Sequence, residues 1–428
     1  MVRDAHKLNL TGVSDDYPFD DSSTDDARPS LDILALSADT WGDTLYSRHQ
    51  LLTRIGREHH VVYSTGGRFV WQLGGRPANW TPFFGRFEPR DQVLVDIPPS
   101  VPFRVARSRF LDEWAVRRLA ARLERRWKRS GANARVLWVF RPEFLPFLKH
   151  FDRDLLIYHA CDLYSRMPGW TEEHARNELA LCRTADIRIA TSQVLANELE
   201  TLSGEPVQTL ANGVDCKAYA NLAALRDHEP ADIAEIPYPR LGYTGVLTRK
   251  VDFRLIREMA SARPDWNFIL VGPVHSLDAD AATQLNHCRT LPNVHLLGEK
   301  PQRDIAAYVA SMDVGLIPYK LGHTWTDAVN PLKLYEYLAA GIPTVCAPIR
   351  SVLDLGELVR CPERSAQAWV GAVSAALTEQ DVVLVQKRIA AARARDWDRI
   401  AGGVLKIIHL ELGHKLSNQT DHVLGDRQ

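Results

Sequence analysis

A lysine and a glutamate three residues apart, Lys333 and Glu336, sit in the stretch TDAVNPLKLYEYLAAGIPTV, residues 326–345. Asn330 is a good N-cap, because its side chain can accept from the orphan N–H groups of a first turn. Pro331 suits the first helical position, where a missing N–H costs nothing. Leu332, Leu334, Tyr335, Leu338 and Ala339 have helical spacing. Gly341 can close the helix in the left-handed conformation, and Pro343 keeps it from resuming. The pattern predicts a helix of about three turns, then a short strand, Thr344-Val345-Cys346. Lys333 falls in the first turn, beside N–H groups that attract anions, and Glu336 lies one turn on, on the same side. A lysine at a helix N-terminus suits a phosphate; a carboxylate one turn deeper suits hydroxyls such as those of a ribose. The competing reading is a surface ion pair worth only tenths of a kcal/mol.

Other residues fit the same chemistry. In GYTGVLTRK (242–250) a strand ends in glycine and a basic pair follows. Gly245 would let backbone approach a phosphate, and Arg249 or Lys250 could pair with it. ILVGP (269–273) ends another strand at Gly272. In the first half, YHACDLYSRMPGW (158–170) places His159 and Asp162 after a buried-looking strand. A carboxylate there could take the proton of an attacking hydroxyl. Taken singly, each has an ordinary alternative: a strand-turn-helix, a loop glycine, a turn aspartate capping backbone, a packed strand histidine.

These residues need strand ends to hold them, and the sequence supplies strands alternating with helices. Apolar runs at 31–38, 60–66, 92–98, 135–140, 155–161 and 186–192 read as strands, with an amphipathic helix at 47–58. The pattern pauses at about 215–237 in a segment rich in Ala, Pro and charge, then restarts. Strands at 239–247, 266–273, 294–300 and 313–319 alternate with helices at 252–262 and 302–311. Alternation of this kind implies parallel sheets covered on both faces. Two such units direct their strand ends toward a cleft, where open α/β sheets bind ligands.

The segment NVHLLGEKPQRDIAAYVASMDVGLIPY (293–319), followed by NPLKLYEYLAAGIPTV, resembles the nucleotide-sugar half of GT-B glycosyltransferases, and ANGVD (211–215) resembles the segment that closes their first domain. The likeness spans roughly 30–415 and is strongest over 239–345. It is nearest the branch that makes bacterial exopolysaccharide and teichuronic-type polymers, including the xanthan glucuronosyltransferase. The resemblance implies a GT-B fold, two Rossmann-like domains facing a central cleft, and transfer of a sugar from a nucleoside-diphosphate donor to a hydroxyl. It implies that Glu336 binds the donor ribose, while Lys333 with Arg249 or Lys250 holds the diphosphate, in a donor site also containing Gly245, Gly272 and Asn330. It implies that the DTWG loop, with Trp41, Gly42 and the following Arg48, lies beside the acceptor and diphosphate, and it favours Asp162, with His159, as the catalytic pair. Many retaining members carry a second glutamate eight residues before the ribose-binding one; here that position is Ala328, with Asp327 beside it. The departure keeps two alternatives open: a catalytically degenerate partner subunit, and a sugar-nucleotide epimerase of the same fold.

The expected organisation is a disordered acidic tail over 1–28, an acceptor domain over 29–222, a donor domain over 235–395, and a helix over 396–415 that returns to the first domain, anchored by Trp397. The net charge of −1 gives no global pull toward nucleic acid, and no run of 18 apolar residues exists. The six cysteines include no CxxC pair, so free thiols in a reducing cytoplasm are expected. No metal or cofactor is expected, because lysine and a helix N-terminus can neutralise a leaving diphosphate. The strongest charge asymmetry is RVARSRFLDEWAVRRLAARLERRWKRS (104–130), with ten Arg or Lys against Asp112, Glu113 and Glu124. Helical spacing puts Phe110, Trp114 and nearby leucines on one stripe. A basic amphipathic helix with tryptophan reads as a contact with an anionic inner leaflet, where a lipid-linked glycan would be the acceptor. The alternative is a solvated helix that packs its stripe on the sheet.

Overall fold

The computed structural model describes residues 30–425, apart from 43–44, 68–84, 100, 106–107, 128–133, 168, 323–325 and 327. The tail expected over 1–28 and Asp327 therefore lie outside the described residues. The chain divides into two compact units, one built on Arg48–Ala211 with the strand before it and the chain from Ile400 on, the other on Asn212–Arg399.

Among the described residues the first unit holds eight strands: β1 (Leu31–Leu36), β2 (His60–Ser64), β3 (Arg86–Arg90), β4 (Val93–Ile97), β5 (Ala134–Val139), β6 (Leu155–Ala160), β7 (Ile187–Ala190) and β8 (Gln208–Thr209). Their order is β3-β4-β2-β1-β5-β6-β7-β8. All six residues of β1 and of β6 are buried, as expected of central strands covered on both faces. The expectation of an all-parallel sheet needs one correction. β3 runs antiparallel to β4, because only Asp91 and Gln92 join them, both at positive φ, and so short a link forces a hairpin. Its sequence, RFEPR, has no apolar run to announce a strand.

The second unit holds β9 (Arg240–Thr244), β10 (Asn267–Val271), β11 (Val294–Gly298), β12 (Val314–Ile317) and β13 (Thr344–Cys346). All are parallel, in the order β11-β10-β9-β12-β13. Chain direction across the sheet reverses between β9 and β12, so the ligand crevice of this unit is expected at their C-terminal ends. The helix Leu332–Ala339 enters β13 through Gly341, at φ +69°.

The units separate between Ala211 and Asn212, earlier than the expected domain end at 222. The segment after Asn212 is tied to the end of the second unit. Val214 N donates to Arg395 O at 3.0 Å, Trp397 N to Val214 O at 3.1 Å, and Cys216 N to Asp396 Oδ2 at 3.0 Å. The last helix, Trp397–Gly425, runs on from there. Its Lys415 reaches Asp186 Oδ1 at 2.7 Å and Asp154 O at 2.9 Å.

The basic helix forms over Arg109–Trp127, but the expected single stripe divides. Leu119, Leu123 and Trp127 turn inward with Ala115, Val116 and Ala120, and Trp127 Nε1 donates to Asp32 O at 2.8 Å. Phe110, Leu111 and Trp114 remain exposed. Among the described residues no single helix is long and apolar enough to cross a membrane. The bent pair Ala366–Leu377 and Val382–Arg393 passes on composition, yet buries Trp369, Val373 and Ala376 in the second core.

Candidate functional site

The donor residues expected in the second unit gather where the sheet reverses. β9 ends at Thr244, and Gly245 follows at φ +116°; β10 ends at Val271, and Gly272 follows at φ +141°. The two turns are in contact, Gly245 N donating to Val271 O at 2.8 Å. A Cβ on Gly272 would lie 2.2 Å from Gly245 O, and one on Gly245 would lie 3.2 Å from Lys333 Nζ. Only glycine permits this approach, and it brings the Lys333 ammonium against bare backbone.

Lys333 is 9% exposed. Its Nζ donates to Tyr319 Oη at 2.9 Å and stands 4.5 Å from the centroid of the Tyr243 ring, so two aromatic side chains fix the cation. Burial pushes the Tyr319 phenol up, but the charges of Lys333 and Lys250 outweigh it and hold it below the usual tyrosine range. Lys250 is placed by its backbone, its carbonyl accepting from Lys320 N at 2.8 Å. Arg249 is half-buried beside it.

Glu336 accepts from Thr244 Oγ1 at 3.4 Å. Burial raises its carboxyl, opposed by Lys333 and by hydrogen bonds from Thr244 and Gln302. Beneath it Tyr337 Oη accepts from Thr244 N at 3.0 Å and donates to Gly242 O at 3.2 Å, locking helix to strand. The pair is not an exposed one: Lys333 is buried on Tyr319, and Glu336 is half-buried and bonded to Thr244.

Asn330 departs from its expected role. Among the described residues no side chain caps the helix, and Pro331 occupies the capping position. The Asn330 carbonyl accepts from Asn212 Nδ2 at 2.6 Å, while its Oδ1 is buried with no hydrogen-bond partner among the described residues. An orphaned buried acceptor costs about 1–3 kcal/mol and is the kind of group a bound ligand satisfies.

In the first unit, Arg48 is 7% exposed and ion-paired with Asp39 after β1. Burial works against its charge, but Cys161 and Asp39 raise it beyond the usual arginine value. Asp162 follows β6 half-buried, beside Tyr164, whose Oη donates to Phe140 O at 3.0 Å. His159 does not reach this mouth. It lies within β6, 3% exposed, against Trp138 and Phe140. Its ring nitrogens have no partner among the described residues, and burial with Arg48 nearby lowers it to about 3. A neutral imidazole sealed among aromatics is a poor base, which corrects its expected pairing with Asp162. Trp41 is also buried, its Nε1 donating to Asp91 Oδ2 at 3.1 Å, so it braces the loop; Gly42 is exposed with open space around it.

Sequence reasoning missed Tyr243, Thr244, Tyr319 and Gln302. The available signal was a tyrosine at the C-terminal end of each of the two strands that flank the reversal. Among the described residues no group of three His, Cys, Asp or Glu is placed to hold a metal ion.

The arrangement defines a class of fold. Over 90% of this chain and 100% of the other, the structure superposes on sucrose-phosphate synthase from Thermosynechococcus elongatus with a TM-score of 0.66 at 16% identity. Anabaena HepE in complex with UDP and glucose matches over 88% of this chain and 99% of its own, with a TM-score of 0.62 at 17% identity. The α,α-trehalose-phosphate synthase (UDP-forming) of Burkholderia vietnamiensis matches over 90% and 100%, with a TM-score of 0.63 at 14% identity. The fold is GT-B.

Residues 238–379 match the family described as glycosyl transferases group 1. The chain is 30% identical over 269 residues to TuaH of Bacillus subtilis (strain 168), named as a teichuronic acid biosynthesis glycosyltransferase; the match spans 60% of this chain and 66% of that relative.

Proposed function

We propose that this protein transfers a sugar from a nucleoside-diphosphate donor to a hydroxyl of a lipid-linked glycan in bacterial surface-polysaccharide synthesis, at the cytoplasmic face of an anionic membrane. The observation that carries the donor half is Lys333, fixed on Tyr319 at 2.9 Å and held against the Gly245 turn. A diphosphate at the Gly245 and Gly272 turns receives the ammonium and the N-terminus of the helix Leu332–Ala339, with Lys250 or Arg249 at its edge. Glu336, steadied by Thr244 and Gln302, accepts from ribose hydroxyls one turn deeper. These cations neutralise the leaving group from the protein's own side chains, so turnover without added metal is expected.

Asp162 is assigned as general base. Its carboxylate takes the acceptor proton while the acceptor oxygen bonds to the anomeric carbon and the bond to the diphosphate breaks, releasing nucleoside diphosphate and inverting the anomeric centre. The acceptor assignment rests on the likeness to TuaH and on the basic helix Arg109–Trp127. The test is incubation of the purified protein with a panel of nucleotide sugars, with and without a lipid-linked acceptor. Acceptor-dependent release of nucleoside diphosphate is the expected result. An isomerised sugar from donor alone would identify an epimerase instead, and no turnover with any donor would favour the degenerate-subunit reading.

A further inference from the structure

The helix Arg109–Trp127 presents an apolar group that the core does not use. Phe110 is 81% exposed, Leu111 48% and Trp114 45%, side by side over little more than one turn. The opposite side of the helix already fills the interior with Leu119, Leu123 and Trp127, so the exposed trio has no packing duty. Arginines border it: Arg109, Arg117 and Arg118 are exposed, and the Arg118 guanidinium stands 5.6 Å from the centroid of the Trp114 ring. The acidic side chains of the helix are committed elsewhere. Asp112 binds Arg104 at 2.7 Å, Glu113 is paired with Lys149, and Glu124 binds Arg135 at 2.7 Å. What the helix shows to solvent is therefore an apolar ledge with a net positive border.

We infer that this ledge is the membrane contact of the protein: Phe110, Leu111 and Trp114 seat at the headgroup–acyl boundary, and Arg109, Arg117 and Arg118 meet anionic headgroups. A tryptophan has the amphipathic ring that such a boundary favours, and each basic residue near an anionic leaflet raises partitioning roughly fivefold. A second copy of the chain is a worse occupant, because pairing two ledges would bring like charges together. The inference deepens the proposed function, since it rests on an acceptor carried by lipid.

The experiment is co-sedimentation of the full chain with phosphatidylcholine vesicles, with and without phosphatidylglycerol, at low and high salt. Two double variants are compared, Phe110→Ser with Trp114→Ser, and Arg117→Gln with Arg118→Gln. Binding should require the anionic lipid, fall with salt, and drop at least tenfold in each double variant, with melting temperature and nucleotide binding unchanged. Equal binding to both vesicle types, no binding to either, or full binding by both variants would overturn it. So would concentration-dependent self-association that the Phe110/Trp114 variant abolishes without any vesicle binding, which would make the ledge a protein interface. Nucleotide-sugar binding, measured on the same samples, is lost only if the donor-site reading itself fails, whatever the ledge does.

Discussion

The ammonium of Lys333 donates to the phenolic oxygen of Tyr319 at 2.9 Å, with the Tyr243 ring 4.5 Å away on centroid. A buried lysine whose hydrogen bond goes to a hydroxyl is a costly structural device, because the Glu336 carboxyl nearby answers its charge without a direct bond from the ammonium. It is a good device for holding a cation ready for an anion. Tyr319→Phe keeps the ring and removes the acceptor, so nucleoside-diphosphate affinity should fall about 3–10-fold, against about 10–100-fold for Lys333→Ala. The double variant should lose less than the product of the two losses. Isothermal titration measures all three, and strictly multiplicative losses would show that Tyr319 acts independently of Lys333.

Glu336 should show a conflict between stability and binding. Its carboxyl is raised by burial, so the folded state binds a proton more tightly than the unfolded state. Such a group costs stability as pH rises through the unfolded carboxylate range toward the folded value. Glu336→Gln should therefore melt higher than wild type at neutral pH and bind nucleotide sugar more weakly. The two differ less in melting temperature as pH falls below the ordinary glutamate range. A variant less stable at neutral pH, with unchanged affinity, would make Glu336 an ordinary structural residue.

Asp162→Asn should retain donor affinity while losing about 10²–10⁴ of turnover. The wild-type product should carry an inverted anomeric centre, read by proton NMR coupling constants. A retained configuration, or full activity in the variant, would end this assignment and direct attention to the stretch around Ala328.

Two buried histidines give the first unit an acid response. His49 and His159 are each lowered to about 3, by burial and then by Arg48. Between pH 6.5 and about 3 the unfolded chain binds protons that the folded one refuses, so stability falls with acidification. Each histidine contributes a slope of about 1.4 kcal/mol per pH unit within that window. His159→Phe should flatten the slope by about one proton in denaturant titrations at pH 7 and pH 5 and should leave turnover largely intact. Loss of turnover in a well-folded His159→Phe would restore the histidine to the catalytic site.

Much of this was legible in the chain. The strands of the second unit stand within a few residues of their apolar runs, because buried parallel strands must be continuously apolar and glycine ends them. Lys333, Gly245 and Gly272 were legible as positions because each sits at a strand end or a helix start, and Glu336 because it lies one turn further along the helix that Lys333 begins. Three features were not. β3 is a polar edge strand held by a hairpin, which periodicity cannot see. Asn330 has the right residue type for a cap, but Asn212, 118 residues away, takes its carbonyl, and no local rule contains that partner. Tyr319 and Tyr243 look like core aromatics in sequence, and only the sheet order places both beside Lys333. The basic stripe was visible as a whole, but which of its aromatics go inward depends on the sheet beneath.

The most direct test of the donor site compares thermal melting of wild type and Lys333→Ala across nucleoside diphosphates of each base. Ligand at about 100 times its dissociation constant stabilises by about 2.7 kcal/mol, which shifts melting by several degrees for units of this size. The site described here predicts that one diphosphate gives this shift in the wild type and a much smaller one in the variant. An equal shift in both proteins, or none with any nucleotide, would contradict it.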